Sequence, residues 1–439
     1  MPRCSLVAII LTLVGTTALG AADTDWPQFR GPDGQGHASA IGLPSSWSEN
    51  ENIVWKAPLP GRGCSSPVIA GNEIWLTTAF ESPVSEAEKA ERIKDTTNSQ
   101  PLVVSGKLSL RAVSVDRRSG KITADVELLT EDRPQPSHAM NGFASPTPVL
   151  ADGKLYCHFG THGTACLDTA TRDVVWTNRE LTINHENGAG SSPVMWNDRL
   201  IVHCDGSDAQ YIAPLDTATG RIAWKTDRSG KMNEEPQLKK AYGTPLVMEI
   251  AGQPQVVSPA ADWLYGYDPA TGRELWKLNY GILGFSIVPR PVAGHGMLFM
   301  STSFTQPQLL AVKLDGPEPT IAWRFAKQMP NICSPLLVGD ELYTVSDKGI
   351  ATCLNAQTGK VHWTDRLPGN YAASPLLADG KIYIANRDGE MTVLEPGKTF
   401  RKLGLGKLDG QILASPAAVG QALYIRTDKA LYRVEYLKQ

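Results

Sequence analysis

A two-residue anchor, Ser-Pro or a near variant, recurs eight times and constrains the fold of this chain more than any other feature. It stands at Ser66-Pro67, Ser145-Pro146, Ser192-Pro193, Thr244-Pro245, Arg290-Pro291, Ser334-Pro335, Ser374-Pro375 and Ser415-Pro416. Successive prolines are 79, 47, 52, 46, 44, 40 and 41 residues apart. After an anchor come apolar residues, a tight turn such as Ala378-Asp379-Gly380-Lys381, and a second apolar run such as Ile382-Tyr383-Ile384. A period of roughly 40–50 residues holding several short strands points to an all-β propeller in which one repeat is one blade.

A turn followed by tryptophan recurs with the anchor. Asp216 to Gly220 leads to Trp224, Asp268 to Gly272 leads to Trp276, Asp168 leads to Trp176 and Asn355 to Trp363, while Trp323 follows the looser turn at Asp315. The Asp or Asn starts the turn by bonding its own backbone, and glycine supplies the position with φ > 0. One tryptophan strand comes too early: Ile53-Val54-Trp55-Lys56 precedes the first anchor, and none follows the last strand at Leu431 to Val434. The expected architecture is therefore an eight-bladed propeller of four-stranded antiparallel blades. The strand around Trp55 completes the C-terminal blade, so that closing the ring removes exposed edges. Trp55, Trp176, Trp224, Trp276, Trp323 and Trp363 read as wedges between blades.

Of the 439 residues, 1–22 read as a signal peptide, with Arg3 before an apolar run and small residues from Ala18 to Ala22. The run is short for a membrane span, and no other segment reads as transmembrane. Residues 23–52 form an irregular aromatic segment, packing outside the ring or across one face, and 53–439 form one propeller domain. An insertion at about 81–104 carries a capping box, Ser85-Glu86-Ala87-Glu88, ahead of a short charged helix. It reads as a solvated excursion or as a lid over the channel. Export places the protein in the periplasm or outside the cell. A net charge of −3 gives no sign of nucleic acid binding. The cysteines form no Cys-x-x-Cys pair and read as small buried hydrophobes; Cys157 and Cys166 flank one hairpin and could bridge.

Strand alternation puts both tight turns of each repeat at one end and the variable loops at the other, where sites are usually built. The candidate ligand-binding residues of that face are His138, Asn141, His185, Glu186, Asn187, Tyr242, Asp262, Trp263, Arg290, Asn331 and Arg387. His185 and Glu186 could serve as base and orienter. Trp263 could stack on a planar ligand, and Arg290 could hold an anionic group at the channel mouth. His158 and His162 flank a hairpin glycine, which gives no metal geometry. Asp205, Asp208 and Asp262 match no calcium loop. No metal site is expected, and the sequence assigns no catalytic set.

The repeated Ala-Asp-Gly-Lys-Ile-Tyr, Asp-x-x-Thr-Gly-x-x-x-Trp and Ser-Pro motifs resemble pyrroloquinoline-quinone (PQQ) repeats over nearly the whole chain after residue 22. The opening Trp26-Pro27-Gln28-Phe29-Arg30-Gly31-Pro32 is similar to the start of secreted PQQ-like propellers of planctomycetes and related bacteria. That group is similar in fold to the outer-membrane assembly factor BamB. The resemblance implies a binding or scaffold module with a protein partner in the cell envelope and no cofactor. The alternative it implies is a quinoprotein alcohol or sugar dehydrogenase holding PQQ and calcium, with Arg290, Asp262 and Trp263 as candidates. This chain has neither the Cys-Cys pair nor the Cys-x-x-Cys-His haem motif of many such enzymes, and BamB-like lipoproteins carry a lipidation cysteine where this chain has none. The shared residues pack blades and make turns, so they speak to fold more than to function.

Overall fold

The computed structural model describes residues 25–94, 96, 100–316 and 318–437. The expected signal peptide and part of the 81–104 insertion lie outside them. Among the described residues, eight four-stranded antiparallel sheets form the blades of a propeller, with two short two-stranded ribbons beside them. A representative blade runs Leu376–Ala378, Lys381–Ala385, Glu390–Leu394 and Lys402–Lys407 from the channel outward. Ile53–Pro58 pairs with Ala430–Val434 and supplies the outer strand of the last blade. The ring closes there as the surplus tryptophan strand requires.

Alignment by strand corrects one anchor. The inner strand of the second blade is Val149–Ala151, so the residue pair ahead of it is Thr147-Pro148 and not Ser145-Pro146. The corrected set explains why a hydroxyl recurs. The Ser66 amide donates to Thr147 Oγ1 at 3.0 Å, Thr147 to Ser192 Oγ at 2.9 Å, and Ser192 to Thr244 Oγ1 at 3.2 Å. Arg290, Ser334 and Ser374 continue the same pattern onto Ser334, Ser374 and Ser415. These amides lie where each chain turns into its inner strand, and the next blade's hydroxyl satisfies them. The sequence of links is broken where Arg290 replaces the hydroxyl residue. At the junction of the last and first blades, buried Arg426 donates to Ser65 O, Ser65 Oγ and Thr77 O at 2.7–3.1 Å.

The outer rim is joined by tryptophan. The indole N–H of Trp55 donates to Arg117 O, Trp176 to Thr217 O, Trp224 to Pro269 O and Trp323 to Ala356 O, each in the turn of the next blade. The turn glycine lies flat against the ring: a Cβ at Gly359 would stand 2.8 Å from Trp323 and one at Gly120 2.7 Å from Trp55. Trp276 departs from this pattern, donating to Gln255 Oε1 within its own blade. Where the first blade has Ala124 in place of tryptophan, the second blade's turn has Arg172 in place of glycine, and its guanidinium lies 4.9 Å from the Trp75 ring. The seventh blade also has no tryptophan of its own. Trp47 from the N-terminal segment lies over Gly406 instead.

The N-terminal segment crosses the tight-turn end and enters the channel. Inner strands of a propeller turn an unpaired edge to the channel, and this segment pairs several of them. Trp26 exchanges two 2.8 Å backbone bonds with Ile69, Pro27 O accepts Leu150 N, and Leu377 bonds Gly36 O and Ala38 N. The helix of the insertion runs Glu86–Ile93 with Ser85 Oγ accepting the Glu88 amide, and none of its residues is buried. Cys157 and Cys166 sit one register position apart on paired strands, opposite Ala165 and Tyr156 respectively, and so face opposite sides of the sheet. They cannot bridge; each joins a different inter-blade core.

Gly359→Ala should lower unfolding free energy by about 2–4 kcal/mol, because a residue with φ of +70° also meets an indole face. Gly380→Ala, at φ +66° with open space beside it, should cost about 1 kcal/mol. Urea unfolding of the two variants checks this; equal losses would remove the indole contact from the explanation.

Candidate functional site

The channel is a blind cavity of about 360 Å³ that opens on the variable-loop face. Its wall carries the anchor hydroxyls of Ser66, Thr147, Ser192, Thr244, Ser334, Ser374 and Ser415, and Phe29 from the N-terminal segment stands in its lining. Nearer the mouth it is lined by His138, Met140, Asn141, Asn187, Tyr242, Phe285, Phe304 and Arg387. The wall thus mixes hydroxyls, six of which already accept an amide from the preceding blade, with apolar and aromatic surface. Among the described residues no Asp or Glu lines it, and Arg387 is the one permanently charged side chain.

Two ribbons shape the mouth. Leu102–Val103 of the insertion pairs with Ser137–His138, and Gly284–Phe285 pairs with Phe304–Thr305. The first ribbon carries a short loop over the opening. Asn141 Nδ2 ties that loop to Asn187 O at 2.8 Å and Ala189 O at 3.1 Å, and its Oδ1 accepts Ser145 Oγ. Met140, 51% exposed, reaches to within 3.6 Å of Arg387 Nη1, which belongs to the seventh blade.

The residues singled out in the sequence separate into two groups. His138, Asn141, Asn187, Tyr242 and Arg387 converge on the cavity. His185 and Glu186 lie behind it. The Tyr242 hydroxyl donates to His185 O at 2.7 Å and the two rings stack. His185 Nε2 accepts the Thr161 amide, whereas Glu186 accepts Ser207 Oγ and lies 3.6 Å from buried Lys240 Nζ. They do not form a base with its orienter. Burial, reinforced by His158, His162 and Lys240, holds His185 down at about 3, which disqualifies it as a base near neutrality.

The other group falls away from the mouth. Trp263 donates to Lys231 O, with its ring against Gly230 and Tyr265, so it offers no stacking face to the cavity. Asn331 is bonded twice to Asp347. Asp262 is buried outside the lining, which pushes its carboxyl up to about 6. Arg290 is the clearest correction: it does not reach the mouth but points under the N-terminal segment, donating to Phe29 O at 2.6 Å. Asp205 forms a fully buried bidentate pair with Arg228 at 2.8 and 3.0 Å, and Asp208 accepts the Asn184 amide. Among the described residues no group of three or more His, Cys, Asp or Glu is placed to hold a metal. Calcium is a hard cation that takes carboxylate and carbonyl oxygens, and the described lining offers amide carbonyls at Asn141 and Asn187 without a carboxylate beside them.

Sequence reasoning missed Phe29 and the anchor hydroxyls as cavity wall. The hydroxyl's recurrence was visible, but its direction is set only by the next blade.

The protein-family profile described as outer membrane protein assembly factor BamB matches residues 109–281 and 262–402. The chain belongs to that family. Among curated relatives, BamB of Shewanella oneidensis is 22% identical over 236 residues, 50% of this chain and 56% of the relative. BamB of Legionella pneumophila is 25% identical over 209 residues, 43% of this chain and 52% of the relative. The chain thus spans a little over half the length of each. Of solved structures, BamB from Moraxella catarrhalis superposes with a TM-score of 0.58 at 14% identity, covering 88% of this chain and 99% of that one. Quinohemoprotein alcohol dehydrogenase from Comamonas testosteroni gives 0.64 at 11% identity, covering 95% and 81%. Such identities show the shared propeller fold alone.

Four buried histidines set a pH dependence. Burial holds His158 and His185 at about 3 and His162 at about 4, and keeps His203 well below its usual value. Below pH 6.5 the unfolded chain therefore binds protons that the folded chain refuses, so stability falls as pH falls from 6.5 toward 4. The slope is about 1.4 kcal/mol per pH unit for each such histidine. Asp262, raised by burial, acts in the opposite sense below pH 6. Urea unfolding at pH 7, 6 and 5 should show this loss, and His158→Asn should lessen its slope by about one histidine's share; a profile flat in both proteins would contradict the neutral-histidine assignment.

Proposed function

We propose that this protein is an exported, non-catalytic binding scaffold whose variable-loop face, centred on the blind cavity, docks a protein partner in the cell envelope. The observation that carries this reading is the lining. Six of its anchor hydroxyls accept neighbouring amides, its described residues include no carboxylate, and their one thiol, Cys64, is pushed up by burial and so is not a ready thiolate. What remains is aromatic and apolar surface rimmed by one guanidinium, which suits an apolar side chain with an acidic neighbour. Exposed Ile282 and Met140, at 71% and 51%, extend apolar surface on loops of the same face. The family and its curated relatives carry the name of an outer membrane assembly factor, which favours a partner in that process.

A photo-crosslinker at Met140 or Ile282 should join the protein to an envelope protein identifiable by mass spectrometry, and Arg387→Glu should reduce the yield. The same probe at Val175, on an outer strand, should give no adduct. Adducts at Val175 alone would move the docking surface to the outer rim and sink the proposal.

The quinoprotein reading is tested separately. A ligand that binds only the folded state raises its stability by RT ln(1 + [L]/Kd), about 2.7 kcal/mol at a 100-fold excess. Titration with PQQ and calcium should leave the melting temperature unchanged. A saturable rise would favour the dehydrogenase alternative and call for an alcohol and sugar screen with an artificial electron acceptor.

A further inference from the structure

Arg30 and Arg290 are both 2% exposed, yet neither has a carboxylate partner. Arg30 Nη2 donates to the carbonyls of Gln35 and Pro335, at 2.7 and 2.8 Å, and Arg290 Nη1 donates to Phe29 O. Arg30 Nε, Arg30 Nη1 and Arg290 Nε have no acceptor. Gly34 packs directly on the Arg290 guanidinium and Gly36 on that of Arg30, so one loop holds both groups. The nearest carboxylate, Asp33, is half-exposed and turned to the Gln35 amide and His37.

Burying two like charges together is strongly unfavourable unless something compensates them. The contrast with Arg228 is direct: it is equally buried, and Asp205 matches it with two bonds. Arg30 and Arg290 repel one another, and burial and that repulsion draw Arg30 down to about 9, with Arg290 at about 10, so both remain charged at neutral pH. Three orphaned donors on two guanidiniums form half of an ion-binding arrangement, and an acceptor with negative charge would complete it. The glycine contacts leave little room, which favours a small monovalent ion over phosphate or sulfate.

We propose that Arg30 and Arg290 bind a buried chloride ion that fastens the N-terminal segment into the channel. The ion would offset one of the two positive charges where the run of anchor hydroxyls is interrupted. The site then explains why arginine, and not serine or threonine, stands at that one anchor: it trades a hydroxyl link between blades for an electrostatic link to the segment.

The test compares sodium chloride with sodium gluconate at equal ionic strength, starting from protein dialysed free of halide. Chloride should raise the melting temperature saturably, by a few degrees, and slow hydrogen exchange at residues 26–37. Arg290→Met should abolish the chloride-specific part of both effects. Should that variant fail to fold, crystals of the wild type grown in sodium bromide decide the matter, with an anomalous peak expected within hydrogen-bonding distance of Arg30 and Arg290. Equal responses to chloride and gluconate, or bromide peaks only elsewhere, would overturn the proposal.

Discussion

Unpaired strand edges are the constraint on which this structure depends. A four-stranded blade has an outer and an inner edge, and each edge is a row of amides and carbonyls that must bond or stay in water. The chain meets the outer problem by closing the ring, with Ile53–Pro58 laid against the last strand. It meets the inner one by feeding residues 26–40 into the channel, where they bond Ile69, Leu150, Leu377 and Asp379. Closure and plug are thus made by one stretch of chain running from the rim to the axis, and the plug leaves the cavity blind at the tight-turn end.

Between those two edges the blades are fastened at two radii by different chemistry. Near the axis, a hydroxyl on one blade accepts an amide from the blade before. At the rim, an indole lies on the glycine of the next blade's turn and donates to its carbonyl. The irregular blades show that each fastening is a two-sided contact. Loss of the tryptophan in the first blade goes with loss of the glycine in the second, and the seventh blade takes Trp47 from outside its own repeat. The same logic extends to Arg290, where a changed anchor residue meets a changed neighbour, Arg30 with its own carbonyl and glycine contacts.

This division of labour keeps the variable-loop face free. Both sets of fastenings and the plug leave the two ribbons, the Met140 loop and Arg387 outside the packing scheme, so that face can vary without loosening the ring. The buried histidines and the Asp205–Arg228 pair lie just beneath it in the second and third blades. They give that sector a polar interior whose function is structural, since each is engaged by a neighbour or held uncharged.

The number of blades, their closure by the Trp55 strand and the end of the ring at which loops cluster are legible in the chain before it folds. Those follow from spacing, from turn residues that bond their own backbone, and from one surplus strand, all of which are local. The sequence also brought forward His138, Asn141, Asn187, Tyr242 and Arg387, because they fall in variable loops. What each of them faces is settled by the packing of the blades. Thr147 rather than Ser145 is the second blade's anchor because strand register, not the dipeptide, defines the repeat. Arg290 and Trp263 read as ligand contacts until their neighbours, hundreds of residues away in one case and a packed glycine in the other, claimed them. A side chain's direction and its partner are set by blades brought together around a ring, and no spacing along the chain encodes that.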